Sequence, residues 1–390
     1  MEKVRFGVVG VGNMGSQHAR SLHSGLVKNA TLAAICDIDQ KKLENFKKEF
    51  DGDVKYFSDA QEMFCSGLVD CVIIATPHYY HPPLSIAALN AGLNVVCEKP
   101  EGVYTKQVKQ LNEVAAKSDK IFAVMFNQRT NPAHIVLRDM VKDGKIGKLK
   151  RLNWIITNWY RTQSYYDSGA WRATWTGEGG GVLFNQCPHQ LDLLQWIAGM
   201  KPERVRAFCR FGKWHDIEVE DDVTAYMEFP GGASGCFVTC TADAPGTNRL
   251  ELLGTEGKLV YENNVITYWK LSENEREFCK TAPGGFDQPA CETQTVEIPS
   301  AEGSEHNRVL NNVANAILGL EPLYIDGKEG INGVALADAM LLSTWLDKTI
   351  EMPFDDDLYL AELDKRRATS RRKENISEKT FSLDNSFSDK

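Results

Sequence analysis

The sequence predicts an α/β protein: a doubly wound parallel sheet at the N-terminal end, then an α+β domain with a large, mostly antiparallel open sheet. Three observations carry the prediction. Phe6-Gly7-Val8-Val9, an apolar strand, runs straight into Gly10-Val11-Gly12-Asn13-Met14-Gly15. Strand and helix patterns then alternate through short turns as far as residue 125. From residue 204 to residue 261, strands follow strands with no helix between them.

In chain order, strands are expected at 4–9, 31–36, 54–57, 69–75, 94–97 and 121–125, and helices at 13–25, 39–50, 58–66, 81–91 and 105–118. Pro132 opens a linking helix that stops near Gly144. Residues 149–160, 204–211, 223–229, 233–241, 249–253 and 258–261 read as strands, with Gly231-Gly232, Pro245-Gly246 and Glu256-Gly257 as turns. Helices near 304–319 and 331–350 close this part. Residues 262–303 are polar and interrupted by Gly and Pro, a pattern compatible with a hairpin, a lid or an oligomer contact. From residue 366 the chain has almost no aliphatic residues and reads as a disordered end or a contact with a neighbouring subunit. The assignment is therefore a dinucleotide-binding Rossmann domain at 1–125, an α+β substrate and oligomerisation domain at 126–365, and a polar tail at 366–390.

The glycine turn has the spacing that a pyrophosphate requires. Gly10 permits the tight turn, Gly12 lets the backbone approach the phosphates, and Gly15 lets the helix pack close, with Asn13 and Met14 between them. The second strand ends at Asp37, 22 residues after Gly15, where a carboxylate can accept both ribose hydroxyls of an adenosine. Ile38 comes next, and no Arg follows until far downstream. A 2′-phosphate would meet negative charge without a cation to offset it, so NAD(H) is expected rather than NADP(H).

Composition narrows the rest. The chain has 390 residues, room for two cores, and a net charge of -9 that argues against nucleic acid or an anionic membrane as partner. No apolar run approaches the ~20 residues that span a bilayer. The N-terminus enters the first strand directly, leaving no room for a signal peptide, and the expected location is cytoplasmic. The ten cysteines form no C-x-x-C pair, and no His cluster has zinc spacing, so reduced thiols and no metal are expected.

Two segments carry candidate chemistry. The fifth strand ends Cys97-Glu98-Lys99-Pro100, and polar residues at the carboxyl ends of strands in open α/β sheets face the ligand. Gly179-Gly180-Gly181 leads through Asn185 to Pro188-His189, which opens a helix with Leu191, Leu194 and Ala198 on its buried stripe. His189, Asp192 and Trp196 fall on another face. Two readings of His189 stand at this point: a group that exchanges a proton with a substrate hydroxyl, or a buried histidine satisfied by Asp192.

These residues resemble the glucose–fructose oxidoreductase/inositol dehydrogenase/MocA superfamily over roughly 3–362. The likeness rests on Gly10–Gly15 with His18, Ala75-Thr76-Pro77 with His81, Ala91-Gly92 leading to Glu98-Lys99-Pro100, and Gly179–Asp192. The resemblance implies Thr76, Pro77, His81, Glu98 and Lys99 at the cofactor, and a substrate cleft between the two domains. It also implies Lys99 and His189 as catalytic residues, with the open sheet often the subunit interface of a homo-oligomer. Where many members have aspartate, this chain has Asn185, which puts an Asp–His relay in doubt.

Oxidation of a secondary alcohol needs a hydride acceptor and a base for the hydroxyl proton. The reference pKa of His, ~6.5, is nearer working pH than the ~10.4 of Lys, so His189 is expected as base and Lys99 as the group polarising the same oxygen. Desolvation of the lysine would reverse these roles. Aromatic faces and polar edges at Asn158, Tyr160, Trp171, Arg172 and Trp175, with Arg129 after the sixth strand, suit a polyol ring. Packing explains the same tryptophans, and a uronic acid would explain the arginines. Trp171-Arg172-Ala173-Thr174-Trp175 followed by the glycine-rich segment resembles the branch acting on glucosides, closest to bacterial C-glycoside 3-oxidoreductases. That likeness implies oxidation of C3–OH to a 3-keto glycoside; inositol or a free aldose is the alternative substrate. NAD-dependent glycoside cleavage without net redox, and a non-catalytic NAD-binding regulator, are further alternatives.

Overall fold

In the computed structural model, residues 3–50, 52–371 and 373 are described. The first half of the chain runs β1 (Val4–Val9), α1 (Asn13–His23), β2 (Ala30–Cys36), α2 (Gln40–Glu49), β3 (Lys55–Phe57), α3 (Ala60–Phe64), β4 (Cys71–Ile74), α4 (His81–Asn90), β5 (Asn94–Cys97), α5 (Thr105–Lys117), β6 (Phe122–Val124) and α6 (Pro132–Lys142). There follow β7 (Leu149–Ile156), α7 (Gln163–Tyr166), α8 (Pro188–Ala198), β8 (Arg204–Phe211), β9 (Glu220–Glu228), β10 (Ser234–Cys240), β11 (Asn248–Gly254), β12 (Gly257–Glu262) and β13 (Val265–Leu271). The chain closes with α9 (Glu275–Thr281), β14 (Cys291–Val296), α10 (Glu305–Ile317), α11 (Ile331–Leu346), β15 (Ile350–Glu351) and α12 (Asp356–Ala368).

The chain divides into two compact units. The first comprises 1–130, 176–179 and 302–335, the second 131–175, 180–301 and 336–390. In the first unit six strands lie in the order β3-β2-β1-β4-β5-β6, all parallel. Buried on both faces, β4 reads Cys-Val-Ile-Ile without polar alternation, as a doubly covered strand must. One face packs Phe6, Val8 and Ile73 against Ala19 and Leu22 of α1, Leu43 and Phe46 of α2, and Val309, Leu310 and Val313 of α10. The other packs Val72, Ile74 and Val95 against Met63, Ala88, Leu89 and Leu111 of α3, α4 and α5. Segment 302–335 therefore supplies a covering helix to the Rossmann sheet, although the sequence places it with the later strands.

The second unit holds nine strands in the order β14-β13-β12-β11-β7-β10-β9-β8-β15. Every neighbouring pair is antiparallel except β7 with β10. Alternation puts Leu152, Trp154 and Ile156 of β7 and Val205, Ala207 and Cys209 of β8 on the buried face. Across the opposite face Ile155, Phe208 and Tyr226 are exposed. Residues 262–303, ambiguous in sequence, form β13, α9 and β14, which extend the sheet at one edge. Arg366 and Arg367, read as the start of the tail, belong to α12, whose buried residues are Tyr359 and Leu363. Of the rest of the tail, Ser370, Arg371 and Lys373 hydrogen-bond to Glu218 and Tyr166, whereas 372 and 374–390 lie outside the described residues. All ten cysteines are unbridged. Among the described residues no helix is long and apolar enough to cross a membrane.

Candidate active site

The nucleotide half is built in the first unit. Gly10 has φ +86°, and a Cβ there would lie 2.8 Å from the Ala75 carbonyl oxygen. A Cβ on Gly15 would come within 1.8 Å of the Gly10 oxygen, whereas one on Gly12 would meet nothing within 4 Å. Two glycines are thus fixed by close packing, and the middle one borders open space where α1 begins with Gly12 as its cap. Main-chain N–H groups at that helix start suit an anion. Asp37, 8% exposed, accepts from the Val11 N–H at 2.8 Å through Oδ2 and from the Asp39 N–H at 2.9 Å through Oδ1. Its carboxylate ties the glycine loop to the end of β2 and keeps lone pairs for further donors. Ile38 beside it is 90% exposed. Lys42, in the first turn of α2, brings its ammonium to 3.8 Å from Asp37 Oδ2, so the segment is less devoid of cations than the linear sequence implies.

The carboxyl ends of β4 and β5 are clipped by one histidine. His81 lies between the carbonyls of Thr76 and Pro100, 2.7 Å from each, and burial lowers its pKa. It is 1% exposed with both ring nitrogens engaged, so it fixes the Thr76-Pro77 and Lys99-Pro100 turns rather than presenting an edge outward. Glu98 accepts from His18 Nε2 at 2.6 Å, and the Lys99 main-chain N–H donates to its other oxygen at 3.2 Å. Burial by itself would raise the Glu98 pKa; the His18 bond and the charges of His18, His306 and Lys99 hold it at about 2. His306 sits in the first turn of α10, capped by Ser304, with its ring 5.7 Å from that of His18. Burial, with His18 nearby, lowers its pKa to about 4. A buried His18–Glu98–His306 cluster thus stands behind Lys99. His306 escapes sequence reading because a single histidine in a capped first turn carries no motif.

Arg129 lies inside this unit, 2% exposed, with Nη1 donating to Glu329 Oε2 at 2.5 Å and its guanidinium 5.5 Å from the centre of the Phe126 ring.

The other half is built in the second unit. The glycine-rich segment is pinned by Glu220, which is fully buried and whose Oε1 accepts from the N–H groups of Gly181 (2.8 Å) and Leu183 (3.1 Å). A Cβ at Gly181 would lie 2.0 Å from the Glu220 carbonyl oxygen. The turn delivers His189 to the first turn of α8, where it is 3% exposed. Sequence periodicity gives α8 one polar face, yet Asp192 is 1% exposed and only Trp196 escapes full burial, under the Arg138 guanidinium at 4.4 Å. The helix is enclosed on nearly every side.

Asn185, one turn ahead of His189, accepts from the hydroxyl of Tyr165 at 3.0 Å and from Gln186 Nε2 at 3.2 Å. Arg172 Nη1 donates to the same hydroxyl at 3.0 Å. The structure therefore joins Arg172 and Asn185 through Tyr165, a residue the sequence reading passed over. Its only signal was the aromatic run Trp159-Tyr160 to Tyr165-Tyr166. Asn158 and Tyr160 are exposed beyond the end of β7, and Trp171 stacks under Arg172 at 4.6 Å. Trp175 turns inward: it is 6% exposed, with Phe211 and Trp345 each 5.7 Å away between ring centres. Its role is packing. Among the described residues, no group of three or more His, Cys, Asp or Glu is arranged to hold a metal ion.

Comparison with known proteins agrees with this architecture. Residues 4–126 match the model of an oxidoreductase family with an NAD-binding Rossmann fold, and residues 134–260 match the GFO/IDH/MocA C-terminal domain. Myo-inositol 2-dehydrogenase of Thermotoga maritima is 28% identical over 279 residues, 70% of this chain and 79% of the relative. The scyllo-inositol 2-dehydrogenase (NAD(+)) of Bacillus subtilis is 28% identical over 266 residues, 66% of this chain and 73% of the relative. The WlbA dehydrogenase of Bordetella pertussis, solved with NADH and UDP-GlcNAcA, superposes with a TM-score of 0.76 at 26% identity, covering 90% of this chain and all of that one. NAD is the cofactor that the Rossmann unit binds, and the open space over Gly12 beside the Asp37 carboxylate fits it.

Proposed function

Because this chain belongs to the GFO/IDH/MocA family of NAD-binding oxidoreductases, we propose that it oxidises a secondary alcohol on a sugar ring, with C3–OH of a glucoside as the reacting group and a 3-keto glycoside as product. The observation that carries the reading is Lys99 at the carboxyl end of β5, on the strand edge that also holds the glycine loop, backed by Glu98 and His18. The main-chain N–H groups around Gly12, Asn13 and Met14 would hold the pyrophosphate, Asp37 the adenosine ribose, and Ile38 the adenine face. When bound, NAD supplies the hydride acceptor.

The residues of the chain handle the proton. His189 accepts it from the substrate hydroxyl, and the Lys99 ammonium polarises the same oxygen and stabilises the developing alkoxide. Asn185 cannot take a proton at neutral pH. Held by Tyr165, it orients a sugar hydroxyl or the imidazole. Trp171, Arg172 and Tyr160 offer stacking faces and donors to the ring. A free cyclitol is the second reading, favoured by the inositol dehydrogenases among the relatives. A homo-oligomer assembled through the open face of the nine-stranded sheet accompanies the proposal.

The test is a panel of glucosides, free aldoses and inositols incubated with the protein and NAD⁺, with the product identified by NMR. A ketone at C3 of a glucoside supports the reading. Oxidation confined to inositols moves the assignment to the second reading, and NADH formation with none of them overturns both.

A further inference from the structure

The segment between β7 and α8 holds a charge arrangement that a neutral sugar does not use. The Tyr165 ring has Arg161 Cζ at 5.2 Å and Arg172 Cζ at 4.7 Å from its centre. Each guanidinium also lies against a second aromatic ring, Arg161 on Trp159 at 5.6 Å and Arg172 on Trp171 at 4.6 Å. The Tyr165 hydroxyl links Arg172 to Asn185, and Asn185 precedes His189 by one turn. The cluster is partly buried.

Arg172 makes its contacts with the Gly169 carbonyl, Tyr165 and Trp171; among the described residues no carboxylate pairs with it. Arg172 is thus a partly buried guanidinium held by aromatic faces and a hydroxyl, in a chain whose net charge is -9. Two like charges fixed on one ring repel each other. An anion between or beside them relieves that repulsion, and a planar guanidinium recognises the two oxygens of a carboxylate best. Aromatic faces that hold both planes in place lower the ordering cost of such recognition.

We propose that Arg172 and Arg161 bind a carboxylate on the substrate, so that the glycoside is anionic: a uronide if the charge is on the sugar, or a glucoside with an acidic aglycone. The proposal rests on the ring-alcohol dehydrogenase reading and adds the substrate's charge to it.

The experiment compares 4-nitrophenyl β-D-glucuronide, 4-carboxyphenyl β-D-glucoside and the neutral 4-nitrophenyl β-D-glucoside on the full-length protein. Initial rates with NAD⁺ are read alongside calorimetric binding in the presence of NADH. The expected result is a kcat/KM at least about tenfold higher for one carboxylate-bearing glycoside than for the neutral one. The arm that wins locates the charge. In Arg172→Gln the ratio of charged to neutral kcat/KM falls to about one, and Arg161→Gln lowers it in the same sense. Equal use of all three glycosides by the wild type overturns the proposal. So does an Arg172→Gln variant that loses activity on all three in proportion, the mark of a stack that only supports the loop. If none of the three is oxidised, the glycoside reading fails separately. Calorimetry then still decides: tighter binding of a carboxylate glycoside to wild type than to Arg172→Gln supports the carboxylate subsite, and equal binding contradicts it.

Discussion

Two glutamates three residues apart show how environment assigns opposite work to one side chain. Glu98 is held anionic at about 2 despite its burial, through His18. Glu101, fully buried with Asp326 nearby, is pushed well above the carboxylate range by desolvation, only partly offset by the Ile331 main chain. Their linkage to stability has opposite signs. Between pH 2 and 4.5 the unfolded chain binds more protons at position 98 than the folded one, so the contribution of Glu98 is complete above 4.5 and fades as pH falls toward 2. For Glu101 the folded state binds more protons above pH 4.5, so stability is lost there as pH rises. His306, near 4 when folded, adds a term in the same direction as Glu98, rising between pH 4 and 6.5 by on the order of 3 kcal/mol. Denaturant unfolding from pH 3 to 8 is expected to show Glu98→Gln less stable than wild type at neutral pH, with the gap closing below pH 4. Glu101→Gln is expected to gain on wild type from pH 5 to 8; a gap that stays constant with pH would exclude a protonated Glu101. At the ribose end, Asp37→Ala removes the acceptor of the Val11 N–H. NADH affinity should fall and the preference over NADPH should shrink, the more so with Lys42 beside the site; unchanged selectivity in fluorescence titrations would refute the ribose role.

At the scale of elements, the glycine turn and the end of β5 were legible because their chemistry is local: the spacing of Gly10, Gly12 and Gly15 after an apolar strand and a lysine before proline stand in the sequence itself. β14 was not legible, since an exposed edge strand such as Cys291–Val296 lacks the buried alternation that marks a strand; β13 does alternate, with Ile266 and Tyr268 buried, but sits in a polar stretch broken by Gly and Pro. Helix α12 hid for a similar reason, having only Tyr359 and Leu363 as buried anchors. Beyond it the chain straps back over the aromatic segment. Ser370 Oγ donates to Glu218 Oε2 at 2.7 Å, the Arg371 N–H donates to Oε1, and Lys373 Nζ donates to the Tyr166 carbonyl at 2.6 Å. Glu218 Oε2 in turn accepts from the Trp175 N–H at 3.2 Å. Ending the chain after Thr369 should therefore loosen the segment carrying Trp171 and Arg172. We expect KM for the sugar to rise about tenfold or more, with NADH affinity retained; an unchanged KM would leave the strap without a part in the site.

For the whole molecule, a single pass along the chain assigns 302–335 to the later domain, and the fold returns it to the first unit, where Val309, Leu310 and Val313 fill the sheet face beside α1 and α2. That return is invisible to periodicity, which fixes an element's apolar stripe but not its partner. It is also what brings His306 to Glu98, joining residues far apart in sequence in one buried cluster. The fold class was readable from the order of strands and helices. What Arg129, Trp175, Tyr165 and His306 do depends on which residues lie beside them, and that needed the structure.

The most direct measurement is turnover against cofactor affinity in Lys99→Ala. With the fold of β5 and the Glu98–His18 pair preserved, NADH should bind within about threefold of wild type while kcat falls by ~10²-fold or more, in line with the usual contribution of a group acting on the reacting oxygen. Wild-type turnover in that variant would contradict the account.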